Sequence, residues 1–185
     1  MNQRKTEKRE YLTITNDMLS SGMAAMITKI TMLGLDPNKT AIIAITRGGM
    51  VPAQYAAYAL GVIDMYTIQS ILYDGDDEQK STQQISGVFN IPYEEYDNII
   101  IIDDLVDRGT TLLNVTTALE ETCDDMMGVY TDNRPTFIPC AVYTKKSKKY
   151  MRKHDIIFGR KIKKVDGVAP WLSFPWDFLS PSMKD

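Results

Sequence analysis

Four consecutive isoleucines run straight into three carboxylates, a glycine and two threonines in NIIIIDDLVDRGTTL, residues 98–112. The second half of that string suits an anion. Gly109, Thr110 and Thr111 read as the opening of a helix, where unpaired backbone N–H groups and the positive end of the dipole favour negative charge. Glycine allows a left-handed backbone and close approach, and the threonines add hydroxyl donors. The first half is opposite in character, because Asp103 and Asp104 would repel an anion by themselves. A ligand carrying phosphate and hydroxyls together with a divalent cation reconciles the two, since carboxylates accept from ribose hydroxyls and bind Mg2+ directly or through water. Asp107 is left at the lip of the loop, free for proton chemistry. An isolated Asp-Asp pair near a helix start would be unremarkable; the whole string is not. No GxxxxGK[ST] or GxGxxG pattern occurs, so neither the P-loop nor the dinucleotide fingerprint applies.

The elements around this string must position it. Asn16 reads as an N-cap, followed by Leu19, Met23, Met26, Ile30 and Leu33 at helical spacing, with Gly34 and Pro37 as stops. Ala41–Thr46 and Ile99–Ile102 are short, continuous, β-branched runs, as expected of strands buried on both faces. Arg47-Gly48-Gly49 turns the chain into a helix running to about Leu60, with Pro52 near its first turn. Residues 62–72 form another strand, 74–90 a long acidic loop, 110–121 a helix with Leu112, Val115 and Leu119 on one face, and 136–144 and 155–159 later strands. Strands alternating with helices predict an α/β fold with a central, mostly parallel sheet. In such sheets ligands bind beyond the carboxyl ends of the strands, which is where Arg47–Gly49 and Asp103–Thr111 fall.

IIIIDDLVDRGTTL resembles the phosphoribosyl pyrophosphate (PRPP) loop of type I phosphoribosyltransferases: a hydrophobic strand, two acids, two apolar residues, then Asp-x-Gly-x-Thr. IIAITRGGMVPAQYAAYALG is similar to the pyrophosphate loop and following helix of the xanthine-guanine branch of that family. VAPWLSFPWDF resembles its C-terminal Trp-x-x-x-Pro-Trp-Asp segment, and YLTITNDML its N-terminal start.

That resemblance implies a single phosphoribosyltransferase domain over residues 1–185, with a mobile hood at 74–90 and a base-recognition and C-terminal segment at 145–185. It implies transfer of a 5-phosphoribosyl group from PRPP to guanine, xanthine or hypoxanthine in purine salvage, with Mg2+ as cofactor. Asp103 and Asp104 would hold the ribose hydroxyls, partly through the metal, and Asp107 would act at the purine N7 as general base or proton relay. Arg108, Gly109, Thr110 and Thr111 would wrap the 5′-phosphate, with Arg108 where the family usually has Thr or Ser. Arg47 and Gly48 would hold pyrophosphate, beside a non-proline cis peptide. Lys145 would contact the 6-oxo group, Trp171 would stack on the base, and the backbone at Leu172 would read its 2-position.

Composition bounds the alternatives. With 185 residues, 44% hydrophobic and 24% charged, the chain can bury a sizeable core. Its apolar runs are too short for a membrane span, and its charged start carries no apolar signal segment. Two cysteines, Cys123 and Cys140, without partners at metal spacing, suggest structural thiols in a reduced, cytoplasmic compartment. His154 reads as an exposed member of the basic stretch, and Trp176 as a core or interface aromatic. A net charge of −3 gives no global drive towards nucleic acid. The exception is KKSKKYMRK, residues 145–153, which contains one aromatic; a solvated face is the plainer reading, and nucleic acid is not expected there. The rival function is a non-catalytic sensor of PRPP or nucleotide that binds nucleic acid through that run. A homodimer or homotetramer is expected.

Overall fold

The computed structural model describes residues 11–73, 82–87, 91–128, 133–164 and 167–177. In chain order these form β1 (Tyr11–Thr13), α1 (Asn16–Thr31), β2 (Thr40–Thr46), α2 (Met50–Leu60), β3 (Met65–Tyr73), β4 (Thr82–Gly87), β5 (Asn98–Val106), α3 (Thr110–Met127), β6 (Thr136–Thr144), α4 (Lys148–Lys153), β7 (Ile157–Lys161) and β8 (Trp171–Ser173). The expected α/β architecture is borne out. Five strands, β3-β2-β5-β6-β7, run parallel, and β4 closes the β3 edge antiparallel. A separate parallel pair, β1 with β8, ties the start of the described chain to its end in the register Leu12↔Leu172.

Four isoleucines in a row follow from burial on both sides of β5. Ile100 and Ile102 pack in one core cluster with Met23, Met26 and Ile30 of α1 and Ala53, Ala56 and Ala57 of α2. Ile99 and Ile101 pack in a second, with Leu112, Val115 and Leu119 of α3. Alternation along the strand sends successive side chains to opposite faces, so a central strand covered twice has no polar position to spare until its end.

Several boundaries differ from the sequence reading. Thr15, rather than Asn16, caps α1, its hydroxyl accepting from the Met18 amide at 3.2 Å. The helix stops at Thr31, leaving Leu33 outside it and half exposed. Part of the expected 74–90 loop is strand: residues 82–87 pair with β3 in the register Tyr73↔Thr82 to Ile68↔Gly87. The rest of that expected hood, 74–81 and 88–90, lies outside the described residues. β5 continues through Asp103 and Asp104 to Val106, so the two acids belong to the strand rather than to the loop after it. The strand expected over 155–159 spans 157–161.

Candidate active site

The strand order places a topological switch point between β2 and β5. From β2 the chain passes through α2 outward to β3, and from β5 through α3 the other way to β6. Pairing between β2 and β5 ends at Ala44↔Ile102, whereas β2 stays with β3 to Thr46↔Gln69 and β5 with β6 to Val106↔Thr144. The two central strands therefore part just before Asp103. Their diverging ends make the crevice in which such sheets bind ligands.

Two tight loops fill its walls. After a cis peptide at Thr46–Arg47, Gly49 donates its amide to the Ile45 carbonyl at 2.8 Å. A Cβ on Gly49 would fall on the carbonyl oxygens of Ile102 and Ile45, and one on Gly48 would fall on the Asp104 carboxylate. Glycines are what allow the Arg47 turn to close against β5. Arg47 itself is exposed.

The helices that begin at these loops differ from the helices elsewhere. α1 and α4 are capped by side chains, Thr15 on the Met18 amide and Ser147 on the Tyr150 amide at 3.1 Å. α2 and α3 start at Gly49 and Gly109, and neither N-terminus has a side-chain cap hydrogen bond. Gly109 sits at φ 91°, a conformation costly to any residue with a Cβ. At α2 the Met50 amide already donates to the Arg47 carbonyl at 3.2 Å, whereas the first amides of α3 are left for an external acceptor. Thr110 is exposed and Thr111 half-buried at the start of α3, with Arg108 exposed before them.

Asp103 is buried, and its carboxylate accepts from the Asp104 amide at 2.9 Å. Burial pushes its pKa up to about 6 against that hydrogen bond, which pulls it down. Asp104 is pushed well above the usual carboxylate range by burial first, then by the charge of Asp103 and by that of Asp177. The pair is costly to ionise without a cation. Such carboxylates fit a Mg2+ ion, which takes one or two of them and fills its remaining positions with water and substrate phosphate oxygens. Among the described residues no cluster of three or more His, Cys, Asp or Glu side chains suits a metal, so a cage made wholly of protein is not what this site provides.

At the lip, Asp107 and Lys145 meet. The Lys145 amide donates to the Val106 carbonyl at 3.0 Å, which holds the ends of β5 and β6 side by side. Lys145 Nζ then lies 3.0 Å from Asp107 Oδ2 and 5.8 Å from the centre of the Trp171 ring. The lysine side chain is 9% exposed and the aspartate 53%, so the carboxylate remains open to a ligand. Trp171 is 48% exposed. Leu172 turns its side chain into the core, which leaves only its backbone for any contact with a ligand. The geometry thus gathers Asp103, Asp104, Asp107, Lys145 and Trp171 from three remote stretches, with the Arg47–Gly48 and Arg108–Thr111 loops on either side.

Two neighbours escaped the sequence reading. Asp177, within the quoted PWD string, accepts from the Phe174 amide at 2.7 Å and adds its charge to that felt by Asp104. Tyr150 places its hydroxyl 3.4 Å from the Arg108 carbonyl and against Gly109, where a Cβ would collide with it. Its ring packs at a tilt against His154, centres 4.6 Å apart, and that histidine is half-buried rather than exposed. Trp176 stacks on Phe174 at 4.9 Å and packs on the core, as expected. Both cysteines are free and buried.

The family model described as "Phosphoribosyl transferase domain" matches residues 15–179. Among solved structures, the chain is similar to a purine phosphoribosyltransferase from Pyrococcus horikoshii, at 19% identity over 90% of this chain and 93% of the other, with a TM-score of 0.63. It is similar also to a xanthine-guanine-hypoxanthine phosphoribosyltransferase from Helicobacter pylori, at 18% identity, 90% and 93% coverage and a TM-score of 0.64. A hypothetical protein from Neisseria gonorrhoeae with bound ppGpp matches at 20% identity over 94% and 93%, with a TM-score of 0.61. At these identities the likenesses establish a shared fold.

Proposed function

Because the chain belongs to the phosphoribosyl transferase domain family, we propose that it transfers the 5-phosphoribosyl group from PRPP to a 6-oxopurine, releasing pyrophosphate. The observation that carries the purine reading is the convergence of Lys145 Nζ on Asp107 at 3.0 Å beneath Trp171. A cation, a proton acceptor and an aromatic ring so grouped support recognition of a planar 6-oxo base. Lys145 donates to the 6-oxo oxygen and Trp171 stacks on the ring. The backbone at Leu172 reads the 2-position substituent.

The uncapped start of α3, with Arg108, Gly109, Thr110 and Thr111, receives the 5′-phosphate. Arg47 and the Gly48–Gly49 turn at the start of α2 receive the pyrophosphate. Asp103 and Asp104 take the ribose hydroxyls and would hold Mg2+, which when bound offsets the charge of the pyrophosphate group. In the reaction the C1–oxygen bond to pyrophosphate breaks as positive charge builds on the ribose. Purine N9 forms the new bond to C1, and the N7 proton passes to Asp107. Arg47, with the positive end of the α2 dipole, stabilises charge on the departing pyrophosphate. A general base in the position of Asp107 contributes about 10²–10⁴-fold. Exposed Met50, Tyr55 and Tyr58 on the uncharged α2, with Ile63 beyond it, support assembly of the chain as a homo-oligomer, which light scattering tests.

The test is a spectrophotometric assay with PRPP and Mg2+ against guanine, xanthine and hypoxanthine, with Asp107→Asn alongside. Turnover of one or more of these bases, lost in the variant, is the expected result. Tight PRPP binding without turnover of any purine would overturn the reading.

A further inference from the structure

The basic stretch that the transferase reading leaves unused becomes part of a larger surface once the chain is folded. Residues 145–164 hold ten of the chain's 21 Lys and Arg but only one of its 24 Asp and Glu, Asp155. That stretch therefore carries +9, and the rest of the chain −12. Lys145 is paired with Asp107. Lys148, Lys149, Arg152 and Lys153 on α4, and Arg160 and Lys161 at the end of β7, are exposed. None of these six forms a salt bridge among the described residues.

The two groups of cations are joined through α1. Lys29 lies over the Phe158 ring at 4.1 Å and donates to the Phe158 carbonyl. Its ammonium is acidified by burial first and then by Lys148 and Arg160, so Lys148 of α4 and Arg160 of β7 both act on this one lysine. Like charges gathered with few counter-charges among the described residues cost free energy in the unliganded protein, and a polyanion relieves that cost.

Beside these cations opens a cavity of about 900 Å3 between α1, β1 and the end of β7. Tyr11, Met18 and Tyr143 are among its apolar lining, and Arg160, Lys161 and Lys163 supply positive charge at it. Among the described residues, Asp17 is the one acid on the lining. No residue of the two phosphate loops lines it, nor do Asp103, Asp104, Asp107, Lys145, Trp171 or Leu172. Arg160 is held towards α1 by a 3.0 Å hydrogen bond to the Ser21 hydroxyl. Tyr143 is fixed by donating to the Met18 carbonyl at 2.6 Å.

We propose that the exposed cations of α4 and β7, together with the tyrosine-lined cavity beside Arg160, Lys161 and Lys163, form a binding surface for single-stranded nucleic acid. The sequence argument against nucleic acid rested on a single aromatic within the basic run and on the net negative charge; the fold adds Tyr11, exposed and more than a hundred residues away, beside a cavity backed by the buried Tyr143. Phosphates lie along the lysines and arginines, and an unstacked base enters the cavity, a combination of charge and aromatic surface suited to single strands. A paired duplex keeps its bases stacked and cannot fill the cavity. The surface stands apart from the transferase chemistry, so its test does not depend on turnover.

Anisotropy of a fluorescein-labelled oligo(dT) or oligo(rU) of about 12 nucleotides, titrated with the full chain, measures binding directly. Saturable binding is expected at low salt, with affinity falling as salt rises at a logarithmic slope of about −3 for some four phosphates neutralised. The Lys161→Glu/Lys163→Glu variant, at exposed positions, weakens binding by more than about tenfold. Tyr11→Ala, at a 63% exposed residue, weakens it by about fivefold or more through the lost base contact. PRPP with Mg2+ leaves the oligonucleotide bound. Absence of saturable binding at low salt overturns the proposal, as does displacement by PRPP, which would place the strand in the phosphate loops. Equal affinity for a matched duplex, unaffected by Tyr11→Ala, overturns it too. So does preference for phosphatidylglycerol vesicles over the oligonucleotide.

Discussion

Replacing Asp103 by asparagine should stabilise the unliganded protein at neutral pH while weakening its grip on Mg2+ and PRPP. The carboxylate is buried, and its pKa rises from the ordinary 3.8 to about 6 because burial disfavours the charged form. With a folded value above the unfolded one, the native state binds the proton more tightly. Ionised at pH 7, the carboxylate therefore subtracts from stability. That penalty is fully present above about pH 6 and is relieved as pH falls towards 3.8. The interval, at about 1.4 kcal/mol per pH unit, amounts to at most about 3 kcal/mol. Asparagine keeps an oxygen for the Asp104 amide, now 2.9 Å from Asp103 Oδ1, and carries no charge to bury. Urea denaturation in EDTA, at steps from pH 7.5 to 4.5, measures the difference between the two proteins. Asp103→Asn should be the more stable at pH 7, with its advantage shrinking below about pH 6. Added Mg2+ and PRPP should raise the midpoint of the wild-type chain more than that of the variant. A variant less stable than wild type at pH 7, or a difference constant across the range, would refute the reasoning, because an ionised Asp103 would then cost the fold nothing.

Three further outcomes follow from particular contacts. Gly49→Ala sets a Cβ against two backbone carbonyls, those of Ile102 and Ile45. It should cost about 1–3 kcal/mol in urea denaturation. Ile101→Ala removes a fully buried side chain from the centre of β5 and should cost about 2–5 kcal/mol, read as a lower denaturation midpoint at unchanged slope. Trp171→Ala, at a half-exposed ring, should raise the KM for the purine by about tenfold with little change in kcat or unfolding midpoint, since base stacking contributes about 1–3 kcal/mol.

The sheet was legible in the sequence because burial on both faces leaves a strong mark. Strands β2 and β5 could be found from the continuous, β-branched-rich runs Ala41–Thr46 and Ile99–Ile102 that lie within them. Amphipathic faces such as Leu112, Val115 and Leu119 likewise disclosed α3. Strand 82–87 was not legible, since its TQQISG has little apolar alternation and is ordered by backbone pairing with β3. The end of β5 was misplaced for a related reason. Asp103 and Asp104 carry the composition of a loop, yet pairing with β6 continues past them to Val106.

For the site, local order in the sequence determined the pieces that act through their own backbone: the glycine turn after Arg47, and the Gly109–Thr111 start of α3. Those conformations depend on near neighbours, so a short string specifies them. Only the tertiary structure decided which remote groups meet. Lys145 reaches Asp107 because β5 and β6 are adjacent and end together. Trp171 stands near that lysine with β8 paired to β1. Asp177 presses its charge on Asp104 across more than seventy residues of chain. Burial of the two carboxylates, and with it their raised pKa values, is a property of the packed sheet ends. A sequence names the acids; the dielectric around them is set by what the fold brings to cover them.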